Sequence, residues 1–280
     1  MSKTILLTGA TDGIGLQTAR MLVSRGHQVL LHGRNPEKLN AVADSLAAEY
    51  GNGLTDSYLA DLSVMTEVAK LADRISEKCS HIDVVVNNAG VYRIADPKTG
   101  EGLDARFAVN AITPYLLTQK LWPLLGSTGR VVNLSSAAQA PVDLEALAGR
   151  TRLSDHAAYA QSKLALTMWS RLLGIASKDR GTMVVSVNPG SMLGSKMVKE
   201  AFGVTGGDLE IGADILTRAA LDDEFAGASG QYFDNDMGRF ANPHTDALSQ
   251  SKCEEVVAGI EAVLSGIPGL DYSGTIDRNS

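Results

Sequence analysis

The chain has little of what several function classes require. Cysteine is scarce: Cys79 and Cys253 are the only two in 280 residues. Two thiols without metal spacing suggest neither a disulfide framework nor a zinc site, and they read as the reduced cysteines of a cytoplasmic protein. No cluster of lysine and arginine stands out, and the formal net charge is −7. A nucleic-acid surface needs a basic stripe, so that class is set aside. No apolar run approaches the roughly 18 residues of a membrane span. The opening "MSKTILLTGATDGIG" lacks the head, apolar stretch and cleavage site of a secretory leader. Repeats, low-complexity linkers and breaks in composition are also missing, so 1–280 reads as one domain. Its hydrophobic content of 44% is enough for a sizeable core.

What is present is a regular alternation. "KTILLT" reads as a strand and "IGLQTARMLVSRG" as a helix ending at Gly26. "HQVLLHG" is a strand, followed by a helix from Asn35-Pro36 to Gly51. "TDSYLAD" is a strand, and Ser63 is the expected N-cap of the helix "SVMTEVAKLADRISEK". "IDVVVNNAG", "GRVVNLSS", "GTMVVSVNPG" and "GQYFD" supply further strands, the last of about seven. Helices are expected over 106–125, 155–178 and 244–265. Strict alternation predicts an α/β fold, a doubly wound parallel sheet with helices on both faces. Strands apolar throughout fit a sheet buried on both sides. One feature resists this pattern: Pro114 falls inside the helix 106–125, where its missing N–H and ring clash cost about 3 kcal/mol.

"TGATDGIG" joins the first strand to the first helix. Gly9, Gly13 and Gly15 permit a tight turn, and the helix N-terminus offers N–H groups to a pyrophosphate. Tyr159 and Lys163 lie four apart on one helix and so share a face. A free tyrosine has a pKa near 10, and a neighbouring ammonium favours its phenolate. Ser136 follows the fifth strand, where its hydroxyl could polarise a substrate oxygen.

With T-G-x-x-x-G-x-G at 8–15, "NNAG" at 87–90, Asn110, Ser136, "YAQSK" at 159–163 and "NPG" at 188–190, the chain resembles the classical short-chain dehydrogenase/reductase family from about residue 3 to 235. The 23-residue separation of Ser136 and Tyr159 is closest to the retinol-dehydrogenase-like branch, and the insert between them either walls the substrate site or is a surface excursion. The resemblance implies a Rossmann fold and a hydride transfer between nicotinamide and a carbonyl or alcohol. It assigns catalysis to Asn110, Ser136, Tyr159 and Lys163, with Tyr159 as acid–base. In the family the residue matching Asn110 sits at a kink, and its backbone carbonyl holds a water beside the lysine. Pro114 removes the N–H that would bond that carbonyl, although a helix boundary near Thr113 is the plainer alternative.

Dinucleotide contacts fall by the same resemblance on Gly9, Thr11, Asp12, Gly13, Ile14, Gly15, Arg34, Asn35, Asp61, Leu62, Asn88, Ala89, Gly90, Tyr159, Lys163, Pro189, Gly190 and Met192. The second strand ends in Gly33-Arg34 without the carboxylate that would bind an NAD ribose, which favours NADP(H) over NAD(H). Asp12 disagrees, because some NADP-preferring relatives carry a basic residue there. Asp61 matches the family residue that meets the adenine amine, while Asp61 or Ser63 could cap the next helix, and both roles could hold. Residues 191–225 are read as a substrate lid with an apolar surface from Met192, Leu193, Met197, Val198 and Phe202, unless that stripe is ordinary core. Residues 236–280 form a C-terminal helix and tail. "DNDMG" at 234–238 lacks the twelfth-position glutamate of a calcium loop and reads as a turn, and no metal is expected. His156 is a weak catalytic candidate. A homodimer or homotetramer paired through the helices of Asn110 and Tyr159 is plausible by analogy. A non-enzymatic dinucleotide sensor or scaffold on the same fold is the rival function. A nucleotide-sugar epimerase would instead carry T-G-x-x-G-x-x-G.

Overall fold

The computed structural model describes residues 2–194, 199, 203 and 205–272. Met197, Val198 and Phe202 lie outside them. Eight strands form one sheet in the order β3-β2-β1-β4-β5-β6-β7-β8. They are β1 (Thr4–Leu7), β2 (Gln28–Gly33), β3 (Thr55–Leu59), β4 (Val84–Asn87), β5 (Arg130–Leu134), β6 (Met183–Asn188), β7 (Tyr232–Asp234) and β8 (Arg239–Ala241). All neighbours run parallel except β7 and β8. The sequence reading stopped at β7. The eighth strand is three residues long and follows the turn at "DNDMG", so it carries no periodicity of its own.

Alternate residues of each strand feed opposite layers. Leu6, Leu30, Val85 and Val131 join one core with helices α3 (Met65–Lys78), α4 (Thr113–Leu125), α5 (Leu144–Leu147), α6 (Asp155–Ala176) and α8 (Gln250–Ser265). Ile5, Leu7, Val29 and Leu31 join the other with α1 (Gly13–Ser24), α2 (Pro36–Tyr50) and α7 (Leu209–Leu221). Helix α7 packs on α1 and buries Ala213, Ile215, Leu216 and Ala219. Residues 209–221 are therefore core, not the lid read from the sequence, because their apolar stripe has a partner.

The helical stretch around Pro114 is not a regular α-helix. A short turn at Ala105–Phe107 widens into a π-turn over Ala108–Ile112, and α4 starts at Thr113. The N–H of Thr113 bonds the carbonyl of Ala108, five residues back. Pro114 occupies the first turn of α4, where its missing N–H is tolerated. The chain thus accommodates the proline by both routes: a helix boundary at Thr113 and a local widening at Asn110.

Every residue from Ser162 to Ser170 of α6 is buried. Helix α8 covers α6 through Cys253, Val256, Val257 and Ile260, and α5 joins it with Ala146 and Leu147.

Candidate active site

The carboxyl ends of β1, β2, β4, β5 and β6 open into a cleft of about 890 Å³. Its lining includes Gly9, Thr11, Asp12, Gly13, Ile14, Gly15, Arg34, Asn35, Asp61, Leu62, Asn88, Ala89, Gly90, Ser136, Tyr159, Lys163, Pro189, Gly190 and Met192. Of the candidate residues only Asn110 stays behind the wall, 1% exposed. A crevice at the point where strand order reverses is the usual ligand site of such sheets.

At one end the glycine turn comes very close to its neighbours. A Cβ on Gly15 would lie 2.1 Å from the Gly9 carbonyl oxygen, and one on Gly9 would lie 2.9 Å from Ala89 Cα. Asn88 Nδ2 donates to the carbonyls of Thr8 (2.8 Å) and Gly9 (3.1 Å) and holds the turn against β4. Helix α1 has Asp12 as its N-cap, accepting from Gly13 N–H at 2.8 Å. Asp12 also meets Lys38 at 3.8 Å. The sequence reading did not single out that lysine. Asn35 caps α2 by accepting from Lys38 N–H, so Arg34 and Lys38 flank a helix N-terminus. Gly33 leaves room for Thr11: a Cβ there would lie 2.6 Å from Thr11 Cγ2.

Ser63 does not cap α3. Its N–H and hydroxyl both donate to Asp61 Oδ1, and Val64 is the N-cap position, without a side-chain bond. The carboxylate of Glu101, from 36 residues away, accepts from Met65 N–H at 3.0 Å and supplies the missing cap. Proximity in sequence misled the cap assignment.

At the other end, Ser135 and Ser136 part ways. Ser135 Oγ lies 2.6 Å from Thr167 Oγ1, whose own proton goes to the Lys163 carbonyl, so Ser135 is spent inside the core. Ser136 is half-buried in the cleft. Its carbonyl is fixed by Tyr232 Oη (3.2 Å) and Gln139 Nε2 (2.9 Å). The Tyr159 ring meets Tyr92 edge-on at 4.9 Å. Burial pushes the Tyr159 phenol up, its hydrogen bond with Ser136 pulls it down, and Tyr92 pushes it up again. Lys163 lies on the same side of the helix as Tyr159. Its Nζ points at the Leu134 carbonyl (2.7 Å) and lies 5.8 Å from the Tyr159 ring centre. Burial brings Lys163 down to about 7. His156 is exposed one turn before Tyr159 and also lines the cleft.

Asn110 acts through its side chain as a strut. Its Oδ1 accepts from Val91 N–H (2.8 Å), and its Nδ2 donates to the Val91 carbonyl (2.9 Å) and Ser162 Oγ (3.0 Å). Buried Arg106 adds a second tie, pairing with Asp104 and with Asp155 at the start of α6. The turn after β6 is gripped by the β7–β8 hairpin. Asp236 accepts from Ser191 N–H (2.7 Å), Ser191 Oγ (2.6 Å) and Asn188 Nδ2 (2.9 Å). Asn235 bonds the Asn188 and Pro189 carbonyls. Just beyond, Met192 has φ +55°, the one non-glycine residue in the left-handed region among the described residues.

A sequence model described as short chain dehydrogenase matches residues 3–203. The chain belongs to the short-chain dehydrogenase family. This dehydrogenase lies near the retinol-dehydrogenase-like branch. Human retinol dehydrogenase 13 is 31% identical to it, over 96% of this chain and 85% of that protein. An uncharacterized protein from Mycobacterium paratuberculosis superimposes with a TM-score of 0.77 at 26% identity, over 93% of this chain and 92% of that one. The Pseudomonas aeruginosa RhlG/NADP active-site complex matches with a TM-score of 0.68 at 25% identity, covering 84% and 95%. The dehydrogenase is thus an oxidoreductase of a family that uses nicotinamide dinucleotides. Among the described residues no helix is long and apolar enough to cross a membrane.

Proposed function

We propose that this dehydrogenase moves a hydride between NADP(H) and a carbonyl or alcohol on a hydrophobic small molecule. The observation that carries the reading is the convergence of the glycine turn, Ser136, Tyr159 and Lys163 on one cleft. The name of retinol dehydrogenase 13 points to the same substrate class.

A bound nicotinamide dinucleotide supplies or accepts the hydride. Tyr159 exchanges a proton with the substrate oxygen, and Ser136, whose hydroxyl lies against the phenol, turns its single proton to the same oxygen. Lys163, held near neutrality by burial, is placed to take up or release that proton behind Tyr159. Asn110 sets the Val91 backbone and so the wall facing Tyr159. The preference for NADP rests on Arg34 and Lys38 beside the α2 N-terminus and on the lack of a carboxylate at the end of β2.

Fluorescence titration with NADPH and NADH tests the cofactor, and a carbonyl library followed at the NADPH absorbance tests the reaction. Tighter NADPH binding with turnover of apolar carbonyls is expected. Binding of a dinucleotide without turnover of any carbonyl or alcohol would leave the sensor reading in place.

A further inference from the structure

The phosphate-binding turn rests on a residue that no motif marks. His32 lies on β2 and is 2% exposed. Its Nδ1 accepts the N–H of Gly9 at 3.2 Å, and its backbone carbonyl accepts the N–H of Ala10 at 2.9 Å. Two consecutive N–H groups of the turn therefore end on one residue. Its Nε2 lies 3.1 Å from the Ala60 carbonyl, at the end of β3. A carbonyl can only accept, so Nε2 carries the proton and Nδ1 is free to accept from Gly9. The imidazole is neutral, with both nitrogens used, and spans the ends of three adjacent strands.

We propose that His32 is a positioning residue for the dinucleotide: by holding Gly9 it fixes where the turn leaves β1, and so where the turn meets the pyrophosphate. The inference rests on the dinucleotide reading above. Gly9 has φ +67° and a wide choice of conformations, so an outside constraint is what makes the turn one shape rather than many. Protonation of Nδ1 would set two donors face to face and release the turn. Burial, the largest influence, pushes His32 down to about 4, while the Ala60 bond and Asp61 raise it and Arg74 lowers it. The grip is therefore intact at neutral pH and opens only in acid.

The test compares His32→Asn, His32→Gln and His32→Leu. Asparagine places an acceptor where Nδ1 was, whereas glutamine reaches only the Nε2 position. Calorimetric titration with NADP+ at pH 7.5 should give wild type and His32→Asn similar affinities, with His32→Gln and His32→Leu weaker by about tenfold. As the pH falls from 6 through about 4 the wild type should lose affinity relative to His32→Asn, in which Asp61 and Arg74 are unchanged. Melting temperatures separate positioning from folding. If affinity simply follows melting temperature across the variants, or if His32→Gln binds as well as His32→Asn, the proposal fails. A wild type that binds no NADP+ overturns the dinucleotide reading itself, and His32 with it.

Discussion

The two ends of the cleft are built by different means. The phosphate end is mostly backbone: a glycine turn, two helix N-termini and a single buried imidazole beneath them. The catalytic end is mostly side chain: Tyr159 between Tyr92 and Ser136, Asn110 bracing Val91, and Asp236 gripping Ser191. Backbone sites recognise a group that every turnover shares, and they tolerate little change because a single Cβ would collide. Side-chain sites can be retuned residue by residue. The contrast separates binding, at one end, from chemistry and specificity, at the other.

Substitutions can break or sharpen that contrast. Tyr159→Phe should lower turnover by about a thousandfold while NADPH affinity stays within about twofold of wild type. Comparable losses in both would erase the division. Arg34→Ala should do the reverse, weakening NADPH by about ten- to a hundredfold while NADH binding holds. An equal loss for both dinucleotides would remove Arg34 from the 2′-phosphate. Asp236→Ala releases the turn that carries Ser191 and Met192. It should reduce NADPH affinity by about tenfold yet leave adenosine 2′,5′-bisphosphate binding unchanged, since that fragment never reaches the turn. If the fragment weakens too, the hairpin supports the whole fold rather than one end.

The smallest effect concerns stability. Lys163 titrates near 7 when folded and near 10.4 when unfolded. Between those values the unfolded chain binds the extra proton, so burial of Lys163 opposes folding fully below pH 7 and less as pH rises. The melting temperature without cofactor should climb from pH 7 to pH 9. Lys163→Met should remove that climb and raise the melting temperature at pH 7 by several degrees: relief of a burial penalty on the order of 4 kcal/mol, less the hydrogen bond to the Leu134 carbonyl that methionine cannot make. A steeper climb in the variant would mean that another group governs this range.

The sequence revealed the sheet, most helices and the cleft residues because each motif sits at a strand end and announces itself locally. It concealed the partners that arrive from afar. Glu101 caps α3 across 36 residues, His32 holds Gly9 across 23, and Asp236 reaches back 45 to Ser191. Nothing in the immediate surroundings of Glu101 and Asp236 distinguishes them from solvated polar groups, and the strand around His32 tells of burial but not of the partner. Residues 209–221 were grouped with the lid because adjacency in the chain does not show that this helix packs on α1. For Lys163 the sequence indicated the shared face with Tyr159 but not the bond to the Leu134 carbonyl: four-residue spacing says that two side chains share a face, not which carbonyl one of them will choose.

The widened turn at 108–112 has a consequence for how the chain can vary. A π-turn holds one more residue than the α-helical path it replaces, like a single extra tooth in a gear train. Deleting one residue there would let the ladder close in the ordinary way with the flanking segments keeping nearly the same phase, because the wide turn packs its extra residue into about the same rotation. The same deletion inside α4 has no wide turn to absorb it, and everything before it would rotate by about 100°. Asn110 would then swing off Val91, and Arg106 would turn away from Asp155. The wide turn is thus the place in this stretch where the chain can lose a residue without changing the phase between the helix that braces the wall and the helix that carries Tyr159.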